Sequence, residues 1–211
     1  MKRFDTGLYF ITDSTGFTRE EFLARVERAL EGGVTLLQLR EKNRSTRDYI
    51  ALALAVHELT RRYHVPLIID DRVDVTLAAD AEGVHLGAED MTVETARRIL
   101  GGEKIIGATA KTVPQALEAA AQGADYLGVG AIYPTTTKVK TVLTSTETLR
   151  AICGAVSIPV NAIGGLNRDN LHVLAGIPIA GICAVSAIMK AEDPKAAAGS
   201  LKQAAKELGL C

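Results

Sequence analysis

The chain has 211 residues, of which 47% are hydrophobic and 23% are charged, and its formal net charge at pH 7 is −1. This composition predicts a globular protein with a substantial core, organised as a single domain over residues 1–211, and it argues against disorder. Because the charge is balanced and the apolar stretch 177–189 is too short to cross a bilayer, we expect neither nucleic acid nor a membrane as partner.

Short apolar segments alternate with helical patterns along the whole chain. Helix signals support the assignment, such as Thr18 with Glu21 as a capping box and Asn167 as the cap of a helix that ends at Ala175. Strands are predicted at 8–12, 35–40, 66–69, 83–86, 104–109, 126–132, 158–163 and 181–187. Helices are predicted at 19–31, 46–63, 73–79, 93–100, 113–122, 146–155, 168–175 and 194–208.

Strict alternation of strand and helix implies a parallel sheet, and eight such units in a chain of this length predict a closed (β/α)8 TIM barrel of class α/β. A doubly wound open sheet is the alternative. The lack of a Gly-x-Gly-x-x-Gly motif after the first strand weakens that alternative.

The location is inferred from the cysteines and the first residues. Cys153, Cys183 and Cys211 show no Cys-x-x-Cys spacing, which favours structural thiols in a reducing compartment. Residues 1–6 lack the apolar core of a secretory signal. We therefore predict a cytoplasmic protein, and the sequence leaves a homo-oligomer open.

Carboxylates follow two consecutive predicted strands. Asp70 and Asp71 come directly after the third strand, and Asp90 follows the fourth. Two carboxylates at the rim of an apolar core need a cation or hydrogen bonds, and a shared Mg²⁺ is the simplest partner. The alternative is that each aspartate only caps a helix.

Hydrogen-bond donors follow other strands at the same end of the predicted barrel, which is the end where active sites of this fold lie. Gln38, Arg40, Lys42 and Lys138 could hold a highly charged anion such as a diphosphate, together with Mg²⁺. The alternative is that Arg40 and Lys42 are solvated loop charges.

A second anion pocket is predicted at the last two strands. Gly164 and Gly165 precede the helix capped by Asn167, and Val185 and Ser186 lie at the end of the eighth strand, which is the usual phosphate position in this fold. A plain tight turn is the alternative for the glycines. Two anion pockets at one rim suggest two phosphorylated substrates or one bisphosphate. His85, within the fourth strand, is interpreted as a packed, hydrogen-bonded core residue rather than a catalytic base.

Taken together, these motifs resemble the thiamine-phosphate synthase family, and the resemblance extends from the first strand to the eighth. The matching segments are Gln38-Leu39-Arg40-Glu41-Lys42, Ile69-Asp70-Asp71-Arg72-Val73-Asp74, Gly87-Ala88-Glu89-Asp90, Thr135-Thr136-Thr137-Lys138, Ile163-Gly164-Gly165 and Val185-Ser186.

The family joins an aminopyrimidine methyl diphosphate to a thiazole phosphate, forming thiamine phosphate and releasing diphosphate. The resemblance implies that Asp71 and Asp90 are Mg²⁺ ligands and that Arg40, Lys42, Thr109 and Lys138 carry the catalysis. It also implies the substrate contacts. The pyrimidine diphosphate would be held by Gln38, Leu39, Arg40, Glu41, Lys42, Asp70, Thr109 and Lys138, and the thiazole phosphate by Thr135, Thr136, Thr137, Gly165, Val185 and Ser186.

The chain departs from the family pattern at two of these positions, and three other functions stay open. The family usually has asparagine where Asp70 stands and serine where Thr109 stands. A thiazole tautomerase-like isomerase and a non-catalytic barrel that binds phosphorylated ligands are the alternatives, and a generic phosphosugar isomerase stays open on fold alone. Retention of Arg40, Lys42 and the Asp71–Asp90 pair speaks against the tautomerase, because an isomerase of thiazole has no diphosphate to hold.

Overall fold

The computed structural model describes residues 4–135 and 142–210. Within this part of the chain, eight parallel strands close into a barrel in chain order, and helices cover its outside, which confirms the predicted (β/α)8 fold. The strands are β1 (Leu8–Ile11), β2 (Leu36–Leu39), β3 (Leu67–Asp70), β4 (Gly83–Leu86), β5 (Ile105–Ala110), β6 (Tyr126–Gly130), β7 (Val160–Ile163) and β8 (Gly181–Ala184). The helices are α1 (Arg19–Glu31), α2 (Thr46–Arg62), α3 (Val73–Ala78), α4 (Val93–Leu100), α5 (Val113–Ala121), α6 (Thr146–Ala155), α7 (Ser186–Met189) and α8 (Pro194–Glu207), with a 3-10 helix at Leu171–Leu174.

Side-chain caps begin most of the long helices. At α1 the predicted capping box is present: the Thr18 hydroxyl accepts from the Glu21 N–H at 3.2 Å, and Glu21 Oε2 accepts from the Thr18 N–H at 2.9 Å. Ser45, Thr92 and Ser145 cap α2, α4 and α6 with their hydroxyls. Each cap satisfies an orphan N–H of the first helical turn, so the sequence sets where each strand-to-helix loop ends.

The core has two layers, as the fold requires. A large apolar cluster fills the space between the strands and the surrounding helices. A smaller cluster fills the barrel interior and includes Tyr9, Tyr126 and Cys183. Within the described residues no helix is long and apolar enough to span a membrane. Cys153 and Cys183 are free thiols, as predicted, and Cys211 lies outside the described residues.

Two predicted elements differ near the end of the chain. Asn167 does not cap a helix, because its side chain accepts from the Asp169 N–H at 2.9 Å in a turn, and only the 3-10 helix Leu171–Leu174 follows. The eighth strand ends at Ala184 rather than at 187, and Ser186 already begins α7. At Asn167 a polar turn replaces the start of the predicted helix, and after Ala184 a short helix replaces the end of the predicted strand.

Arg97 closes the end of the barrel opposite the carboxyl ends of the strands. Its guanidinium donates to the carbonyl oxygens of Gly101, Lys104 and Gly123 at 3.0, 2.7 and 2.8 Å, and to Asp125 Oδ2 at 2.6 Å. Asp125 Oδ2 in turn accepts from the β5 N–H of Ile106 at 2.8 Å. One side chain therefore joins α4 to the loops that enter β5 and β6.

We expect Arg97→Met to lower the free energy of unfolding by about 3 kcal/mol, because it removes several charge-assisted hydrogen bonds that join α4 to the loops before β5 and β6. Arg98→Met, on the exposed side of the same helix, is the control and should change stability by less than about 0.5 kcal/mol. Urea unfolding of both variants measures the difference. Equal stabilities for the two variants would contradict the assigned role of Arg97.

Candidate active site

The carboxyl ends of β2, β3 and β4 bring the predicted polar residues together at one rim of the barrel. The three strands pair in parallel, with Gln38 beside Ile68 and Asp70 beside His85. The residues that follow each strand therefore meet at the same edge. Arg40 and Lys42 come from the loop after β2, and Asp70 is the last residue of β3.

Lys42 is the centre of this cluster. Its Nζ lies 2.7 Å from Asp70 Oδ2 and donates a hydrogen bond to Asp71 Oδ2. Arg40 Nε lies 3.7 Å from the same Asp70 oxygen. Burial opposes the charged ammonium, but the two aspartates outweigh it and raise the pKa of Lys42 above its usual value. Lys42 is therefore a cation at neutral pH, and it contacts two carboxylates.

Asp70 is buried in a poor environment for an anion. Its side chain is 9% exposed, and although Lys42 is close, Oδ2 has no partner in hydrogen-bond geometry within the described residues. Burial, reinforced by the nearby charge of Asp71, raises the pKa of Asp70 to about 6. The attraction of Lys42 and Arg40 offsets only part of this cost.

Asp71 and Asp90 form a carboxylate pair. Asp71 has a left-handed backbone (φ 61°), and its N–H donates to the His85 carbonyl oxygen at 2.9 Å, which fixes the turn after β3. Asp90 Oδ2 accepts from the Gly87 N–H at 2.7 Å, which fixes the turn after β4. The two turns place these carboxylates close enough that each shifts the pKa of the other.

The pKa values of this pair move in opposite directions. Burial raises the pKa of Asp71, but hydrogen bonds from Lys42 and Asp90 outweigh it and hold that pKa below its usual value. Burial and the neighbouring Asp71 raise the pKa of Asp90. Two neighbouring carboxylates at one rim are a site where a divalent cation could bind.

Two residues of the Gln38–Lys42 segment have their side chains turned away from the rim cluster. Leu39 is fully buried in the outer core, and its carbonyl oxygen accepts from the Tyr49 hydroxyl at 2.7 Å. Glu41 Oε2 accepts from the Ser14 hydroxyl at 2.9 Å and from Arg44 Nε at 2.7 Å. Glu41 thus ties the loops after β1 and β2 together.

A cleft of about 520 Å³ opens beside the cluster and carries two cations that the sequence reasoning missed, Arg44 and Lys190. Its lining residues are Asp13, Ser14, Thr15, Arg40, Glu41, Lys42, Asn43, Arg44 and Lys190. Lys190 directly follows α7, so the eighth unit of the barrel contributes to the same basic surface as the second. No local motif marks Lys190, because only barrel closure brings these units together.

The two remaining members of the predicted pyrimidine half lie at the barrel mouth. Gln38 is buried, and its Nε2 donates to the Tyr9 hydroxyl at 2.6 Å. Thr109 is half-buried, and its hydroxyl lies 3.0 Å from His85 Nε2. His85 is a packed, hydrogen-bonded residue as predicted, since its Nδ1 lies 3.1 Å from the Tyr126 hydroxyl.

The predicted phosphate pocket lies across the rim, at the ends of β7 and β8. Gly164 and Gly165 both have positive φ, 103° and 65°, and a Cβ on Gly165 would lie 2.7 Å from Tyr133 Cβ. Glycine is therefore needed here so that the segment after β6 can pack against the turn. Gly165 and Ser186 are exposed, and either can be reached by a ligand.

The structure thus separates the predicted site residues into two groups at one rim. Thr135 ends the described segment after β6, which packs against the Gly164–Gly165 turn. Thr136, Thr137 and Lys138 lie outside the described residues. The described geometry defines a (β/α)8 barrel whose rim has a basic and acidic half at β2–β4 and a glycine-lined half at β7–β8.

Comparison with known proteins supports the (β/α)8 fold and assigns the chain to one family that has it. The family model described as thiamine monophosphate synthase matches residues 8–188. The chain is 53% identical over 196 residues to thiamine-phosphate synthase 2 of Streptococcus pneumoniae, covering 93% of each chain. It is 46% identical over 201 residues to thiamine-phosphate synthase of Methanobrevibacter smithii, covering 95% of this chain and 96% of that one. The solved structure of thiamine phosphate pyrophosphorylase from Pyrococcus furiosus superposes with a TM-score of 0.87 at 42% identity, over 96% of both chains.

The chain belongs to the thiamine monophosphate synthase family. The resemblance read from the motifs is therefore confirmed at the level of the family.

Proposed function

We propose that this chain catalyses the reaction for which its relatives are named, the synthesis of thiamine phosphate. The observation that carries the proposal is the meeting of Arg40 and Lys42 with the Asp71–Asp90 pair at one rim, in a chain 53% identical to a named synthase. Such a cluster suits a diphosphate, because it combines cations with carboxylates that can hold a hard metal ion. The enzyme is accordingly a transferase.

The chemistry proposed is a substitution at the methylene carbon of the pyrimidine substrate. The carbon–oxygen bond breaks and its electron pair leaves with the diphosphate, while the delocalised pyrimidine ring stabilises the positive carbon. The lone pair of the thiazole nitrogen then forms the new carbon–nitrogen bond. No proton has to be removed, so the reaction needs no general base. The proposed site residues that the structure describes include no nucleophile–base pair, which agrees with this.

In this scheme Arg40 and Lys42 neutralise the leaving diphosphate, and by the family resemblance Lys138 adds a third cation. Their value lies in charge stabilisation where negative charge develops, and in exclusion of water from the cation. Thr135, Thr136 and Thr137, with Gly165, Val185 and Ser186, would hold the thiazole phosphate across the rim. Backbone N–H groups near the exposed Gly165 and Ser186 can approach phosphate oxygens closely.

Magnesium is the proposed cofactor, held by Asp71 and Asp90. The donor set fits, because Asp71 directly follows β3, Asp90 lies in the turn after β4, and each carboxylate shifts the pKa of the other. Among residues 4–135 and 142–210, no group of three or more His, Cys, Asp or Glu side chains is arranged to hold a metal. That also fits Mg²⁺, which is usually held by one or two carboxylates together with substrate phosphates and water. When bound, the ion would neutralise charge on the diphosphate.

Asp70 is the residue that fits a diphosphate site least well. An ionised carboxylate there would repel the substrate, but Lys42 lies against Asp70 Oδ2, and burial raises the pKa of Asp70 to about 6. We propose that Lys42 and Arg40 screen Asp70 from the diphosphate rather than that Asp70 contacts it. The cytoplasmic location and the oligomeric state stay predictions.

The direct test mixes the purified protein with pyrimidine diphosphate, thiazole phosphate and Mg²⁺, and follows thiamine phosphate by mass spectrometry. We expect product only when both substrates are present, and its loss on addition of EDTA. Isomerisation of a thiazole carboxylate phosphate without the pyrimidine substrate would instead support the tautomerase. Binding of both ligands without any product would support the non-catalytic barrel.

A further inference from the structure

A continuous chain of polar side chains crosses the interior of the barrel below the rim. It joins five strands that are distant in sequence, and three of its members are fully buried or nearly so. The contacts run from Gln38 Nε2 to the Tyr9 hydroxyl (2.6 Å), to the Tyr126 hydroxyl (2.7 Å), to His85 Nδ1 (3.1 Å), and from His85 Nε2 to the Thr109 hydroxyl (3.0 Å). Both ends, Gln38 and Thr109, are proposed pyrimidine-site residues, whereas the three middle residues have no assigned role.

The donor and the acceptor in each of these hydrogen bonds follow from the first residue, Gln38. The Gln38 amide nitrogen can only donate, so the Tyr9 oxygen accepts, and the Tyr9 hydrogen is satisfied by donation to Tyr126. The Tyr126 hydrogen then goes to His85. Burial raises the pKa of both tyrosines, so each keeps its hydroxyl hydrogen.

His85 accepts a hydrogen bond at one ring nitrogen and donates one from the other. A ring nitrogen that accepts a hydrogen bond carries no hydrogen, so the hydrogen bond from Tyr126 to Nδ1 requires a neutral imidazole with one hydrogen. Because Nδ1 accepts from Tyr126, that hydrogen is on Nε2 and is donated to the Thr109 oxygen. If Nδ1 carried the hydrogen instead and donated it to the Tyr126 oxygen, the Tyr126 hydrogen would be buried without an acceptor in the described part of the barrel.

At the Thr109 end of this row of hydrogen bonds, the hydroxyl hydrogen has no acceptor among the described residues, so it is left for a ligand. Thr109 is half-buried at the mouth of the barrel, unlike the three residues behind it. The barrel wall is shaped to hold those residues: a Cβ on Gly107 would lie 2.1 Å from Tyr126 Cζ, and one on Gly128 would lie 3.3 Å from His85 Cε1. Both glycines sit on β5 and β6, so the strands themselves provide the space for the two rings.

We propose that Tyr126 and His85 are positioning residues that act through Thr109, turning its hydroxyl hydrogen toward an acceptor nitrogen of the bound pyrimidine ring. The inference deepens the proposed function and rests on it for the identity of the ligand. Its physical content is that a threonine hydroxyl, which rotates freely when isolated, is held here as a donor by a fixed sequence of hydrogen bonds. The substrate recognised is thus a ring that offers a hydrogen-bond acceptor at this position.

A double-mutant cycle on Tyr126→Phe and Thr109→Val tests the proposal, with KM for each substrate as the readout. We expect KM for the pyrimidine diphosphate to rise about 10-fold in Thr109→Val and about 5-fold in Tyr126→Phe, which is the range for loss of one hydrogen bond. The double variant should be no worse than Thr109→Val alone, because Tyr126 acts only through that hydroxyl. KM for the thiazole phosphate should change less than about 2-fold in each variant.

Tyr49→Phe is the matched control for loss of a buried tyrosine hydroxyl. Its hydroxyl donates to the Leu39 carbonyl oxygen at 2.7 Å and is not part of the row of hydrogen bonds from Gln38 to Thr109. In the Tyr49→Phe, Thr109→Val double variant, the fold-change in KM should therefore be the product of the two single fold-changes. A multiplicative effect of Tyr126→Phe, or equal rises in KM for both substrates, would overturn the proposal and leave Tyr126 a purely structural residue.

A second measurement uses the unmodified protein and does not depend on turnover. The ¹⁵N NMR shifts of His85 should show a neutral ring with the hydrogen on Nε2 at pH 7. The opposite tautomer would reverse the direction of the chain and overturn the proposal. If the unmodified protein makes no thiamine phosphate, the proposed function fails, and the tautomer still decides whether Thr109 is presented as a donor.

Discussion

Replacing Asp71 with asparagine is expected to lower kcat/KM for the pyrimidine diphosphate about 100- to 1000-fold at fixed Mg²⁺. That is the usual cost of removing one preorganised group that stabilises charge in the transition state. The substituted amide side chain would keep the shape of the turn after β3 but lose the negative charge that Lys42 and the proposed Mg²⁺ both use. Steady-state rates across a range of Mg²⁺ concentrations measure the effect, and high Mg²⁺ should restore part of the activity.

Asp74→Asn is the control for this substitution. Asp74 lies three residues further along, on the exposed side of α3, where it pairs with Arg72. Its loss should change kcat/KM less than about 2-fold. An Asp71→Asn variant within about 5-fold of the unmodified protein, with the same Mg²⁺ dependence, would remove Asp71 from the proposed metal site.

The second large effect is expected from Asp70→Asn, this time on stability. In metal-free protein the variant should be about 2–3 kcal/mol more stable than the unmodified chain at pH 8, because the buried carboxylate no longer has to ionise. The pKa of Asp70 is about 6 in the folded protein and 3.8 in its ordinary state. Between these values the folded protein binds more protons than the unfolded chain, so its stability falls as pH rises.

Urea unfolding in EDTA between pH 4 and pH 8 measures this difference. The two proteins should have equal stability near pH 4, where Asp70 is largely protonated in the folded chain and half protonated in the unfolded one, and should diverge as pH rises toward 6. A variant that is less stable than the unmodified chain at pH 8 would show that the ion pairs from Lys42 and Arg40 outweigh burial.

The fold was predictable because its signals are local. Each strand is a short apolar run, and caps such as Thr18 and Thr92 mark where helices begin. Prediction failed at Asn167 and after Ala184, where turn geometry decides the structure and apolar content does not distinguish a strand from a short helix. The eight-unit count was enough to infer the closed barrel, since closure follows from the number of units rather than from any one boundary.

The site was predictable in composition and only partly in arrangement. The adjacency of strand ends in a barrel is sufficient to expect that Lys42 meets Asp70 and Asp71. Sequence order could not show that Lys190 lines the same cleft as Arg44, or that the Tyr9 hydroxyl is hydrogen-bonded to that of Tyr126 across 117 residues, because only closure of the barrel brings these residues together. Burial of Asp70, which raises its pKa, is likewise a property of the folded rim.

The central claim is that the paired carboxylates and a diphosphate hold a divalent cation together. Mn²⁺ in place of Mg²⁺ allows a direct measurement, because the electron paramagnetic resonance signal reports the free ion. We predict one tightly bound Mn²⁺ per chain when diphosphate is present, much weaker binding without diphosphate, and loss of the tight site in Asp71→Asn. Binding that ignores diphosphate and persists unchanged in Asp71→Asn would contradict the account.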